Sequence, residues 1–242
     1  MKIVGITRIR NEEEIIKDTL DHVASLVDEI YVYDDCSTDR TVEICTKHPK
    51  VKKIVQGKEW KGGSFERNKA EGDLRQIIYK EALKGNPDWV YYFDADELAS
   101  FEGIDFKADA YRLRLFDFYI TEDDKDKNWK ERKMMGCEYR DILMLFKVVS
   151  GIIFYQREPW IPECNIVNAG YVKHYGKAIS IEEWDKTCNY YINERGDDQK
   201  FDTFKKKWQS RVGKAIHTKS DFGNPLIRWH ERKEKGIPLV DN

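Results

Sequence analysis

The sequence predicts an α/β protein built as a doubly wound layer, in which short strands alternate with helices around a parallel sheet. Two observations carry this. Four short runs rich in β-branched and aromatic residues fall within the first hundred positions, and apolar residues at helical spacing lie between them. Two of those runs end in acidic turn clusters, Asp34-Asp35 and Asp94-Ala95-Asp96-Glu97.

The elements follow in order. Ile3, Val4 and Ile6 form a buried strand. Asn11 is expected to cap the next helix, with Glu14 as its capping-box partner and Ile16, Leu20, Val23 and Val27 on one apolar face. Ile30-Tyr31-Val32-Tyr33 is a second strand. It stops at Asp34-Asp35-Cys36-Ser37-Thr38-Asp39, a turn that opens a helix carrying Val42 and Cys45. Lys53-Ile54-Val55 is a third strand. A longer helix is expected over 65–84, closed by Gly85, Asn86 and Pro87. Trp89-Val90-Tyr91-Tyr92-Phe93 then runs straight into Asp94.

The second half changes character. Tyr111, Leu113 and Leu115 alternate with Arg112, Arg114 and Phe116, and 142–149 and 152–155 are further strands, so an antiparallel or mixed portion of the sheet is expected. The charge-rich stretch 123–133, with Trp129 inside it, reads as a solvated loop or a lid. Ser180 with Glu183 opens a helix through about Asn193, Gly196-Asp197-Asp198 breaks it, and the polar tail reads as helical segments packed on the body.

Composition narrows the function. A chain of 242 residues suits one α/β domain with a modest extension. Charged residues make up 36% and mean hydropathy is -0.72, but 13% aromatic content argues against disorder. The net charge of -2 gives no support to bulk nucleic-acid binding. Five cysteines without a Cys-x-x-Cys pair read as reduced thiols rather than a disulfide framework or zinc site. The apolar N-terminal run is too short for a signal peptide, and no stretch reaches the roughly 20 apolar residues of a membrane span. A cytoplasmic protein without a transmembrane segment is expected, with peripheral contact at a membrane surface left open.

The two acidic clusters both fall at carboxyl ends of expected parallel strands, the edge where open α/β sheets bind ligands. Four acids there repel one another unless something cationic neutralises them. A divalent ion with a diphosphate does so, because hard cations prefer carboxylate and phosphate oxygens. Turn chemistry alone accounts for Thr38 and Asp39, and a lone Asp-x-Asp is common by chance. The aromatic strand that delivers Asp94-Ala95-Asp96 makes it more specific.

Residues 1 to about 100 resemble the N-terminal half of family 2 glycosyltransferases with a GT-A fold. The matching pieces are Arg10-Asn11-Glu12-Glu13, Asp34-Asp35-Cys36-Ser37-Thr38-Asp39-Arg40-Thr41, Arg67-Asn68-Lys69-Ala70 and Phe93-Asp94-Ala95-Asp96-Glu97-Leu98. The second half is similar to the lipopolysaccharide-core-type subgroup through Leu145-Phe146-Lys147, His174-Tyr175-Gly176 and Ser180-Ile181-Glu182-Glu183-Trp184. It departs at Cys36, where the family usually has Gly, and at Arg157-Glu158, where it has His-Glu.

The resemblance implies one glycosyltransferase domain over 1–242: a GT-A-type Rossmann-like sandwich with a mixed, mainly parallel sheet and a C-terminal helical extension. Positions 1–100 would hold the nucleotide sugar and 101–242 the acceptor. It implies that Thr7, Arg8, Arg10, Glu12, Asp35, Arg67 and Asp94 line the donor site. Asp96, Asp94 and His174 would hold a divalent metal, Mn or Mg. The donor would be a nucleoside-diphosphate sugar, a UDP-sugar by default, and the acceptor a glycan or another hydroxyl compound. Transfer would proceed with inversion in a single displacement. A weakly nucleophilic hydroxyl needs a general base; Glu158 is the first candidate, with Asp141 and Glu163 behind it. Two rival readings are a nucleotidyltransferase and a non-catalytic nucleotide-sugar-binding protein. The first usually brings a glycine-rich phosphate loop, and Arg8-Ile9-Arg10-Asn11-Glu12 contains no glycine. A phosphatase would place its Asp-x-Asp after the first strand, which this chain does not.

Overall fold

The computed structural model describes residues 1–60, 64–193 and 201–239, with the backbone alone at 64–70 and 201–202. Eleven strands and five helices are described: β1 (Ile3–Ile9), α1 (Ile16–Val23), β2 (Glu29–Asp34), α2 (Thr41–Lys47), β3 (Val51–Gln56), α3 (Ser64–Leu83), β4 (Trp89–Phe93), β5 (Glu97–Ser100), β6 (Ala110–Tyr119), β7 (Met134–Lys147), β8 (Ile153–Phe154), β9 (Pro159–Trp160), β10 (Ile166–His174), α4 (Ile181–Asn193), α5 (Phe201–Gln209) and β11 (Ile227–Arg228).

Nine strands form one sheet in the order β3-β2-β1-β4-β7-β6-β10-β5, with β11 paired to the outer end of β7. The first four are mutually parallel, and β10 lies parallel to β6. Only β5 and β7 run the other way. The sheet is therefore mixed and mainly parallel, as the sequence predicts for this GT-A-type Rossmann-like arrangement, and α4 with α5 forms the C-terminal helical extension. Residues 8 and 9 of β1 face 33 and 34 of β2, and Thr7 faces Phe93 of β4. These pairings bring the ends of β1, β2 and β4 to one edge, and Asp35 and Asp94 emerge there together.

Burial on both faces explains why β1, β2 and β4 read as apolar runs. All five residues of β4 are buried, and Tyr91, Tyr92 and Phe93 are fully enclosed. α1 packs Ile16, Leu20 and Val23 against this layer. The start of α1 departs from expectation. Asn11 takes a left-handed φ of 54° and its side chain accepts from the Thr38 amide instead of capping the helix. The first turn is built by the Glu12 carbonyl, which accepts from Ile15 and Ile16. Asp39 does perform turn chemistry, accepting from the Glu13 and Thr41 amides.

The second half holds the larger differences. β7 begins at Met134, well before the expected 142, because its first half pairs with β6 through two register shifts. β5 and β10 were not foreseen; β10 carries Asn168-Ala169-Gly170 and a bulge, which hide its alternation. The stretch 123–133 is largely exposed, as expected of a solvated loop, but is pinned to the body by buried Asp124, Trp129 and Arg132. Trp129 is buried against Tyr175, and the buried Arg132 guanidinium donates to the Ala178 and Ile179 carbonyls. Ser180 does cap α4, accepting from the Glu183 amide. Gly196-Asp197-Asp198 lies outside the described residues. No described helix is long and apolar enough to cross a membrane.

Candidate functional site

β4 ends in Phe93, and the turn 94–96 reverses the chain into β5. The Glu97 side chain accepts from the Asp94 amide, which closes that turn and buries Glu97 completely. β5 in turn pairs with β10, so that Glu97 faces His174 across the strands. The Tyr175 amide donates to the Asp96 carbonyl. The result is a compact cluster in which one ligand atom each from Asp96, Glu97 and His174 lie within 4.8 Å of one another. His174 Nε2 is 3.2 Å from Asp96 Oδ2, and its Nδ1 is 2.5 Å from Asp117 Oδ1.

Two arginines press on the same cluster. Arg75, buried on α3, donates to Asp94 at 2.9 Å and to Glu71 at 3.1 Å. Arg157 contacts Glu97 and lies 3.7 Å from Asp94. Burial alone would raise the Asp94 carboxyl, but Arg75 and Arg157 outweigh it and hold it well below the usual carboxylate range. Glu97 moves the other way. Burial raises it against the opposing pull of Arg157, and the Asp94 charge adds to the rise. Burial also pushes Glu12 well above its ordinary value, with the Asp96 and Asp94 charges as the next causes. Burial would lower the His174 imidazole, yet Asp96 and Asp117 raise it to about 10.

The neighbouring part of this edge is organised by β1 and β2. Asp35 is buried, with Arg8 Nη2 at 3.9 Å from its carboxylate. Arg10 donates to the Asp35 and Cys36 carbonyls and stacks over Trp60 at 3.9 Å. Cys36 has φ 61°, a left-handed backbone of the kind glycine tolerates best. Thr7 is buried and its hydroxyl has no hydrogen-bond partner among the described residues. Arg67 lies on α3, but its side chain falls outside the described residues.

The structure brings Asp94, Asp96, His174 and Glu12 into one electrostatic neighbourhood. It does not bring the three expected bases there. Side chains alternate along β6, so Asp117 and Arg114 leave opposite faces of the sheet. Asp141 is in register with Arg114 and receives both its Nε and Nη2, on the face away from His174. Glu158 is turned to Arg112 at 2.6 Å and also accepts from the Leu143 amide, while its neighbour Arg157 reaches the acidic cluster. Glu163 is exposed in a loop with φ 40°. Sequence reasoning missed Arg75 and Asp117. The signal for Asp117 was legible: it is the one carboxylate within the apolar strand Leu115-Phe116-Asp117-Phe118.

The mixed, mainly parallel sheet, with an Asp-x-Asp turn at the carboxyl end of β4, has the arrangement of a GT-A-type Rossmann-like fold. Residues 6–105 match the model of the glycosyl transferase family 2. An uncharacterized protein of Mycobacterium bovis and another of Mycobacterium tuberculosis are each 36% identical over 108 residues, which is 45% of this chain and 26% of the relative. The chain thus spans about a quarter of the length of these curated relatives. Among solved structures, glucosyl-3-phosphoglycerate synthase from Mycobacterium tuberculosis, in complex with Mn2+, UDP and glucosyl-3-phosphoglycerate, is similar at 17% identity. That match covers 49% of this chain and 44% of that one, with a TM-score of 0.31. A crystal structure of a mycobacterial protein covers 94% of this chain and 82% of its own at 12% identity, with a TM-score of 0.35.

Proposed function

We propose that this protein transfers a sugar from a nucleoside-diphosphate sugar, a UDP-sugar by default, to a hydroxyl acceptor such as a glycan, with inversion and with help from a divalent metal, Mn or Mg. The observation that carries the reading is the Asp96–His174 contact at the carboxyl edge of the parallel strands, beside Asp94 and on the same edge as Asp35. The donor set fits a divalent ion. Carboxylate and imidazole are ordinary ligands for Mn, and Gly176 lets the backbone pass close beside both: an added Cβ would sit 2.5 Å from Asp96 Oδ2 and 3.0 Å from His174 Nε2.

In this reading Asp96 and His174 hold the ion, with Asp94 turned to the ribose and the ion. When bound, the ion supplies charge stabilisation to the leaving diphosphate. Asp35, with Arg8 behind it, accepts hydrogen bonds from the nucleoside. Arg10 braces the turn that carries Asp35. Arg75 and Arg157 keep Asp94 ionised and fix its direction, so that the acidic edge is preorganised rather than assembled by the donor. Thr7 offers a buried hydroxyl to the same edge.

The experiment is a Mn-dependence assay of donor turnover, run with a panel of nucleotide sugars on the wild type and on Asp96→Ala. Nucleotide release that requires Mn and disappears in Asp96→Ala supports the reading. Release of pyrophosphate from a nucleoside triphosphate and a sugar phosphate would identify a nucleotidyltransferase instead. Tight donor binding with neither product would identify a non-catalytic binding protein.

A further inference from the structure

We propose that Asp117 is the positioning residue of this metal site: through Nδ1 it holds the His174 ring so that Nε2 is the atom presented beside Asp96. This deepens the metal reading above and rests on it. The geometry begins with strand register. β6 and β10 are parallel, and Asp117 is the direct partner of His174, so both side chains leave the same face at the same height. His174 Nδ1 lies 2.5 Å from Asp117 Oδ1 and its Nε2 3.2 Å from Asp96 Oδ2. The imidazole is therefore strung between two carboxylates, one on the candidate ligand turn and one behind it.

Asp117 is an expensive residue to keep where it stands. Its neighbours on β6, Leu115, Phe116 and Phe118, are almost wholly buried, and a carboxylate among them needs compensation. It receives three cationic partners: His174, Arg140 at 2.8 Å and Lys177 at 3.1 Å. Lys177 is shared with Asp221 at 3.0 Å, and Asp221 is paired with Arg211 at 3.0 Å. The chain of charges from Asp96 thus runs through His174, Asp117, Lys177 and Asp221 into the C-terminal segment. Each member restrains the next, and the ring has little freedom left. A carboxylate on Nδ1 fixes both tautomer and orientation of a ligating histidine and increases its donor strength at the far nitrogen. Without it, the terminal torsion of a histidine is broad, and the ring can turn Nε2 away from Asp96.

The test measures Mn2+ affinity by electron paramagnetic resonance of the free ion, with UDP as the probe nucleotide, on the wild type and Asp117→Asn. The expected loss in Asp117→Asn is about tenfold to a hundredfold. A second readout needs no variant of Asp117. Long-range nitrogen–proton NMR of the histidine rings in the wild type, with His174 assigned by loss of its signals in His174→Gln, should show Nδ1 protonated when the ion is bound. Addition of Cd2+, a diamagnetic probe ion, should shift Nε2. Retention of Mn2+ affinity within about twofold in folded Asp117→Asn, outside the range expected for such a partner, overturns the proposal. A Cd2+ shift at Nδ1 instead of Nε2 overturns it as well. A wild type that binds no Mn2+ with UDP and shows no His174 response overturns the metal reading itself and this inference with it.

Discussion

Gly176→Ala offers the sharpest separation of site from scaffold. Gly176 follows β10 and carries no positive φ, so alanine is acceptable to its backbone. The obstacle is what a methyl group would meet. Its Cβ would stand 2.5 Å from Asp96 Oδ2, 3.0 Å from His174 Nε2 and 3.2 Å from His174 Cε1. Ordinary van der Waals contact begins at 3.4 Å, so the Asp96 oxygen must retreat by 3.4 − 2.5 = 0.9 Å. Asp96 is a side-chain end and can swing, at a cost of about 0.5–1.5 kcal/mol for an off-rotamer carboxylate. Global stability should therefore fall only modestly. Metal ligation is less forgiving, because ligand distances hold to about 0.2 Å. A displacement several times larger, with a methyl group pressed against both ligand atoms, should weaken Mn2+ binding by at least about tenfold, or roughly 1.4 kcal/mol. Calorimetric titration of Mn2+ with UDP gives the affinity, and thermal unfolding without metal gives the stability. Unchanged Mn2+ affinity in a variant with a native melting profile would refute the assignment of Asp96 and His174 as ligands of an ion.

Three further outcomes are expected. In Gly72→Ala the new Cβ would lie 2.4 Å from the Tyr155 carbonyl oxygen, a backbone atom that cannot swing aside. The change should therefore destabilise by about 1–3 kcal/mol in denaturant titration, despite the better helix propensity of alanine. Glu158→Gln should keep turnover within about tenfold, because a carboxylate already engaged by Arg112 and the Leu143 amide is poorly placed to take a proton. A fall of two or more orders of magnitude with donor binding intact would return Glu158 to the role of base. Asp35→Ala should lower nucleotide affinity by about ten- to a hundredfold, the scale of a charge-assisted hydrogen bond, while circular dichroism stays native; normal binding would reduce Asp35 to a turn residue.

The sequence by itself determined the N-terminal half of the fold. β1, β2 and β4 are buried on both faces, so they had to be written as short apolar runs, and α1 between them carries the 3.6-residue period of an amphipathic helix. The acidic residues after β2 and β4 were legible for the same local reason, since each sits directly after a strand whose direction the alternation predicts. The tertiary structure alone decided what those acids meet. Glu97 is joined to His174 by pairing between β5 and β10, strands more than sixty residues apart whose bulge and short length leave no clean period to read. Asp117 and Asp141 lie on the same pair of strands, yet the pleat sends one to His174 and the other to the opposite face, and a register slip of one residue would exchange them. Arg157 and Glu158 are adjacent in sequence, and only the course of the β8–β9 hairpin decides that the cation, not the carboxylate, reaches Asp94. Local periodicity fixes which residues can be buried; long-range register fixes which of them touch.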